Sequence, residues 1–233
     1  MAEVEVSPAS RATAYTSLAA GADFVHEIEI RRSRFITVLR GTQDEDSARS
    51  LISGLRREFH DARHHCSAFV LGPDRDIQRS NDDGEPSGTA GIPMLEALIR
   101  RETAAGVRDL SDVSAVVVRY FGGILLGAGG LVRAYSESVS AALDLAPLVS
   151  RRRLRLCAVE VDHTAAGRLE NDLRSAGYVM AETSYGARQT ILRLALPDDE
   201  PGIAGATAHL AAMTSGNIGL RPEGTEWVDV PLA

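Results

Sequence analysis

A chain of 233 residues with 44% hydrophobic and 24% charged side chains is long enough for one large domain or two modest ones, and it has the composition of a folded globular protein. This excludes a mostly disordered chain and a collagen-like fibre, and no apolar stretch approaches the roughly 20 residues needed to cross a bilayer. The formal charge is −7, with 16 Arg against 21 acids through residue 146 (−5) and 9 Arg against 11 acids after it (−2). Neither half is therefore a basic domain built for sequence-independent binding to nucleic acid.

All 25 basic residues are Arg. Local patches remain at Arg31, Arg32 and Arg34, and at Arg151, Arg152, Arg153 and Arg155, where solvated strand edges or linker charges are the plain alternative to a binding face. The two cysteines, Cys66 and Cys157, are too few for a disulfide framework. With Glu3 and Glu5 at a start that lacks a secretory pattern, they lead us to expect a reducing cytoplasm.

Residues 1–22, rich in Ala, Ser and Thr without a period, read as a loose tail. Alternation of Phe24, His26, Ile28 and Ile30 predicts a strand over 24–30, and a second follows over 34–40. Asp46 or Ser47 is expected to cap a helix whose apolar stripe is Ala48, Leu51, Ile52, Leu55 and Phe59. Strands are predicted over 66–71 and around 77–79, then a polar loop from Asn81 to Gly91 and a helix over 91–101. The β-branched run Val113–Tyr120 reads as a buried strand. A glycine loop over 122–130 follows, with a helix from Leu131 that buries Val132, Tyr135, Val139, Ala142 and Leu143. Pro147 and the Arg151–Arg155 cluster mark a boundary. Beyond it the pattern is strand, helix, strand, strand, helix, strand, the order of a split βαβ, ferredoxin-like domain. The expected architecture is two α+β domains, residues 23–147 and 151–233.

Three constellations bear on chemistry. The glycine loop, RYFGGILLGAGGL from Arg119, joins a buried strand to a helix, where backbone N–H groups can meet an anion and Arg133 can add charge. Gly122 and Gly127 have P-loop spacing, yet Ala128 and Gly129 stand where Lys and Ser/Thr are required; Val132 likewise breaks the dinucleotide fingerprint. Close packing of helix on sheet is the competing role for these glycines. The acidic loop, NDDGEPSGTAG from Asn81, sets Asp82, Asp83 and Glu85 beside Ser87. These carboxylates can hold Mg²⁺ or Ca²⁺, or can pair with Arg79, Arg119 or Arg133 and order the loop. Finally, His60, His64, His65 and Cys66 have partial zinc spacing without a second ligand pair, and His64 and His65 are better placed as partners of the acidic loop.

The segments HHCSAF from His64, SNDDGEPSGTAGIPML from Ser80 and VVVRYFGGILLGAGGLVRAYS from Val116, with SRF at Ser33–Phe35, resemble the IMPACT/YigZ family over about residues 23–145. The resemblance implies an N-terminal domain like domain 2 of ribosomal protein S5 and domain IV of elongation factor G, and a ferredoxin-like C-terminal domain similar to that factor's domain V. Eukaryotic relatives regulate translation initiation by competing for an activator of the starvation-responsive kinase. Asp82, Asp83, Glu85, Ser87, Arg119, Tyr120, Gly122, Gly123, Gly127, Gly129, Gly130, Arg133 and Tyr135 match the family pattern. Leu125 and Ala128 depart from it, where Lys and Thr are expected, and the missing Lys weakens an RNA-phosphate reading.

The expectation is a cytoplasmic, monomeric, non-enzymatic protein that contacts a ribosomal component, a translation factor or RNA through the loops 81–91 and 122–130, with His64, His65 and Arg79 in support. No membrane, cofactor or metal is expected. The rival is a divalent-metal hydrolase or phosphoryl-transfer enzyme using Asp82, Asp83 and Glu85.

Overall fold

A computed structural model describes residues 11–231. In chain order the elements are β1 (Ala14–Leu18), β2 (Phe24–Ile30), β3 (Ser33–Gly41), α1 (Glu45–Glu58), β4 (His64–Leu71), β5 (Ile77–Asn81), α2 (Gly91–Arg100), β6 (Val113–Tyr120), α3 (Gly127–Leu145), β7 (Leu148–Asp162), α4 (His163–Ser175), β8 (Val179–Tyr185), β9 (Gln189–Pro197), α5 (Glu200–Thr214) and β10 (Arg221–Pro231). The fold is mixed α+β with antiparallel sheets, and the chain divides into two units after Ser150.

In the first unit the sheet order is β2-β3-β6-β4-β5, every neighbour antiparallel. The central strand β6 is covered on both faces. Val113, Ala115 and Val117 join the core beneath α2 and α3, while Val116 packs with Leu51 and Leu55 of α1. Double coverage is why this strand reads as an unbroken apolar run instead of an alternating one. Phe35 and Tyr135 meet edge to face, ring centroids 5.3 Å apart, and tie α3 to β3. Strands β5 and β6 run the same way, both opposed to β4, and each leads into a helix; α2 and α3 therefore start at the same end of the sheet.

Three local expectations are corrected. The cap of α1 is Asp44, which accepts from Ser47 N at 2.6 Å; Glu45 and Asp46 instead fill the first turn, where negative charge suits the helix dipole. Helix α3 begins at Gly127, so Gly127, Gly129 and Gly130 belong to its first turn and not to the loop. The buried stripe Leu131, Ala134, Tyr135 and Ser138 outweighs glycine's poor propensity there. Within residues 1–22, Ala14–Leu18 is a strand, with Tyr15 and Leu18 buried. The Tyr15 hydroxyl donates to Asp112, and Ser111 N donates to Thr16 O at 2.9 Å. The tail expected over residues 1–10 lies outside the described residues.

The second unit has the element order β7, α4, β8, β9, α5, β10, with sheet neighbours β10-β7-β9-β8. Its core is built from Cys157, Val159, Val161, Leu169, Leu173, Leu192, Leu194 and Leu210. Three of the four arginines of the Arg151–Arg155 patch meet acids. Arg153 and Arg155 both bond Asp198 at 2.5 Å, and Arg151 lies 3.2 Å from Asp229. Burial pushes the Asp198 carboxyl up, and the bonds from Arg155 and Arg153 outweigh it, holding it below its ordinary value. Among the described residues no helix is long and apolar enough to cross a membrane.

Candidate functional site

The acidic loop is an internally braced scaffold. Asp82 reaches forward to the start of α2 and accepts N–H bonds from Gly88 (2.8 Å), Ala90 (3.0 Å) and Gly91 (2.8 Å). Burial pushes this carboxyl up, yet the three N–H bonds prevail and hold it below its ordinary 3.8. A carboxylate whose folded-state pKa is depressed stabilises the fold fully above the ordinary value, and that stabilisation is lost as pH falls through the folded value. We expect Asp82→Asn to lower stability by about 0.5–2 kcal/mol near pH 7 and to flatten the acid limb of stability against pH. Urea unfolding between pH 7 and pH 3 checks both.

Asp83 turns the chain back with φ 44°. Its carboxylate accepts from Arg56 Nη2 at 2.5 Å and from His65 N at 2.6 Å, and its carbonyl is 2.9 Å from His64 Nδ1. His65 itself is buried, with Nε2 3.1 Å from Phe59 O. Glu85 is buried beneath the loop, where Oε1 accepts from Arg119 Nη1 at 2.5 Å and from Tyr135 OH at 2.8 Å. The Arg119 guanidinium lies over the rings of Phe35 (5.5 Å) and Phe121 (5.7 Å). The Cys66 thiol is 3.0 Å from Asp82 O and 3.3 Å from Tyr135 OH. Burial, with Glu85 nearby, pushes that thiol up to about 12, so it stays protonated and is no nucleophile at neutral pH. Tyr135 is displaced upward too, by burial first and then by Cys66 and Glu85.

Of the cations considered for this loop, Arg119 joins it; Arg79 and Arg133 do not. Arg79 sits on β5 near Glu45 at 3.7 Å, and Arg133 is exposed on α3. Arg56, 27 residues before its partner Asp83, was not anticipated, because an exposed Arg in the last turn of a helix gives no signal of a distant acid. Among the described residues, no group of three or more His, Cys, Asp or Glu is placed to hold a metal ion. Each of the three loop carboxylates has protein partners of its own.

The second segment faces solvent. Gly122 packs so tightly on the β2–β3 turn that a Cβ there would stand 2.0 Å from the backbone carbon and oxygen of Arg32, and its N–H donates to Ser33 Oγ at 3.2 Å. Beyond it Phe121, Ile124 and Leu125 are exposed, Leu125 at 82%. Leu125 and Ala128, the two departures from the expected pattern, are both surface positions. Tyr120 donates to Asp61 at 2.7 Å, and Ser87 is exposed. Arg31 and Arg32 form the two-residue turn closed by the Ile30–Ser33 pair, with φ 49° and 64°. Arginine is strained at such positions, which Asn-Gly fills with least strain. Arg34 pairs with Glu27 at 2.7 Å, while Arg31, Arg32 and Arg133 have no ion-pair partner among the described residues.

Residues 31–143 match the Impact N-terminal domain. The chain is 46% identical over 160 residues to the IMPACT family member YvyE of Bacillus subtilis, covering 69% of this chain and 70% of that protein. It is 39% identical over 194 residues to the IMPACT family member YigZ of Escherichia coli, covering 82% and 90%. A solved structure described as the crystal structure of a hypothetical protein aligns with TM-score 0.57 and 36% identity, over 90% of this chain and 97% of that one. The chain belongs to the IMPACT family.

Proposed function

We propose that this is a cytoplasmic, monomeric, non-enzymatic, translation-linked protein that contacts a ribosomal component or a translation factor. The contact surface is the rim formed by the Arg31–Arg32 turn, residues 121–126 and the start of α3. One observation carries the reading: exposed apolar side chains and unpaired guanidiniums share this rim, while the carboxylates of the adjoining loop are turned inward as bracing. Apolar area beside Arg is the composition of interface centres, and strain held at two exposed arginines marks positions kept for contact at a cost in stability. The translation link rests on the likeness to ribosomal protein S5 domain 2 and elongation factor G domain IV that the family resemblance implies for the first domain. For the second domain, the neighbour order β10-β7-β9-β8 supports the ferredoxin-like assignment.

The test is co-sedimentation of the tagged full chain with ribosomes from its own lysate, at low and high salt, with and without ribonuclease, alongside pull-down of translation factors. Wild type is expected to co-migrate with a subunit or to retain a factor. Replacing Arg31→Asn together with Arg32→Gly should raise stability by about 1 kcal/mol or more and abolish the association. Leu125→Asp and Arg133→Glu should fold normally and weaken it. Association unchanged in all three variants overturns the assignment of the rim, and no association in either assay overturns the function.

A further inference from the structure

The opposite face of the same sheet carries a groove that the rim does not involve. Helix α1 covers the middle of this face through Ala48, Leu51 and Leu55, and leaves the β4–β5 edge partly open. The groove has a volume of about 440 Å³, within the range of about 300–1,000 Å³ of small-molecule sites. Registers Phe69–Arg79 and Ser67–Asn81 put these four residues on the face that looks at α1.

Three guanidiniums line the groove: Arg49 and Arg56, two turns apart on α1, and Arg79 from β5. Their side chains remain 63%, 49% and 59% exposed. The lining contains Ile52, Phe69 and Ser67; Ser67 is only 5% exposed, and its hydroxyl has no hydrogen-bond partner among the described residues. That hydroxyl is open to a group in the groove, as donor or acceptor. The acids that face these arginines are Glu45, which bonds Arg49 and lies 3.7 Å from Arg79, Asp46, 3.5 Å from Arg49, and Asp83 on Arg56. Glu45 is the informative one. Its two oxygens engage two guanidiniums from different elements, so an anion of carboxylate or phosphate size fits between Arg49 and Arg79.

We infer that this groove is a binding site for a small phosphomonoester whose phosphate lies between Arg49 and Arg79 in place of the Glu45 carboxylate. Its body rests on Ile52 and Phe69 and bonds the Ser67 hydroxyl. Arginine forks match phosphate oxygens in pairs, and a dianion outcompetes a single carboxylate for two guanidiniums. Glu45 then acts as the resident competitor, which sets the direction of its mutant effect against that of the arginines.

The experiment is isothermal titration calorimetry of the full chain at low salt. The probes are inorganic phosphate, ribose 5-phosphate and adenosine 5′-monophosphate, with ribose and adenosine as unphosphorylated controls. Saturable binding is expected for the two phosphomonoesters, weaker binding for phosphate alone, and none for the controls. Arg79→Gln and Arg49→Gln should each weaken it about tenfold, Ser67→Ala by less, and Glu45→Gln should tighten it. Thermal unfolding of each variant checks that the changes leave the fold intact. If no phosphorylated probe binds, if adenosine binds as well as its phosphate, or if Glu45→Gln weakens binding, the inference is overturned.

Discussion

Gly122→Ala is expected to cost at least about 3 kcal/mol, enough to unfold much of the population of a domain of ordinary stability. An added methyl would lie 2.0 Å from the carbonyl carbon and oxygen of Arg32 and 2.5 Å from Ser33 N, all backbone atoms of a two-residue turn that has no side-chain freedom to yield. Moving that turn would break the β2–β3 and β3–β6 ladders at their shared end, where Arg34 pairs with both Glu29 and Tyr120. The neighbouring Gly123→Ala is the control. Its φ is 88° with nothing within 4 Å, so it should lose only about 1–2 kcal/mol through backbone strain. Urea unfolding of the two variants separates the causes; equal losses would mean that close approach at Gly122 is not what the fold depends on.

Glu85→Ala should be comparably damaging, at about 3–5 kcal/mol. It leaves the Arg119 guanidinium buried without its carboxylate and removes the acceptor of the Tyr135 hydroxyl. Arg119 Nε already lacks a partner, so no reserve hydrogen bond is at hand. The double change Glu85→Leu with Arg119→Met removes both charges and should recover a large part of the loss, because a well-packed apolar pair often replaces a buried ion pair at little cost. Chemical unfolding of the single and double variants gives the coupling directly. A loss below about 1 kcal/mol in Glu85→Ala would mean that water reaches the pair.

The elements that a local pattern defines were legible. Val113–Tyr120 is bounded by Asp112 and the glycine turn and can be nothing but a strand buried on both faces, and the alternation of Phe24–Ile30 matches its half-buried face. What escaped was set by partners far along the chain. The strand Ala14–Leu18 has no apolar period and is held by Asp109, Asp112 and Pro147, about a hundred residues away or more. The start of α3 lay hidden in four residues of which three are Gly, because only the packing of Leu131 and Tyr135 makes them helical.

The candidate site divides the same way. Residue types in the acidic loop announced a built feature, but not its purpose. The side chain of Asp82 serves a helix that begins nine residues later, and Arg119 meets Glu85 only because β6 lies beside β4. The family resemblance named the residues of both loops without saying which of them face inward. Of the exposed residues Phe121, Ile124 and Leu125, the last two fall inside the loop 122–130 named from the sequence, and Phe121 lies just before it.

Asp82 satisfies the first N–H groups of α2, whereas α3 begins with no side-chain cap. The two helices start at one end of the sheet, so the end-on field there is lopsided: compensated over one helix and bare over the other. What remains is made of the peptide dipoles of α3 and the guanidiniums of Arg31, Arg32 and Arg133. An acidic chain thus carries a small electropositive corner, and an acidic group on a partner is what would complete it.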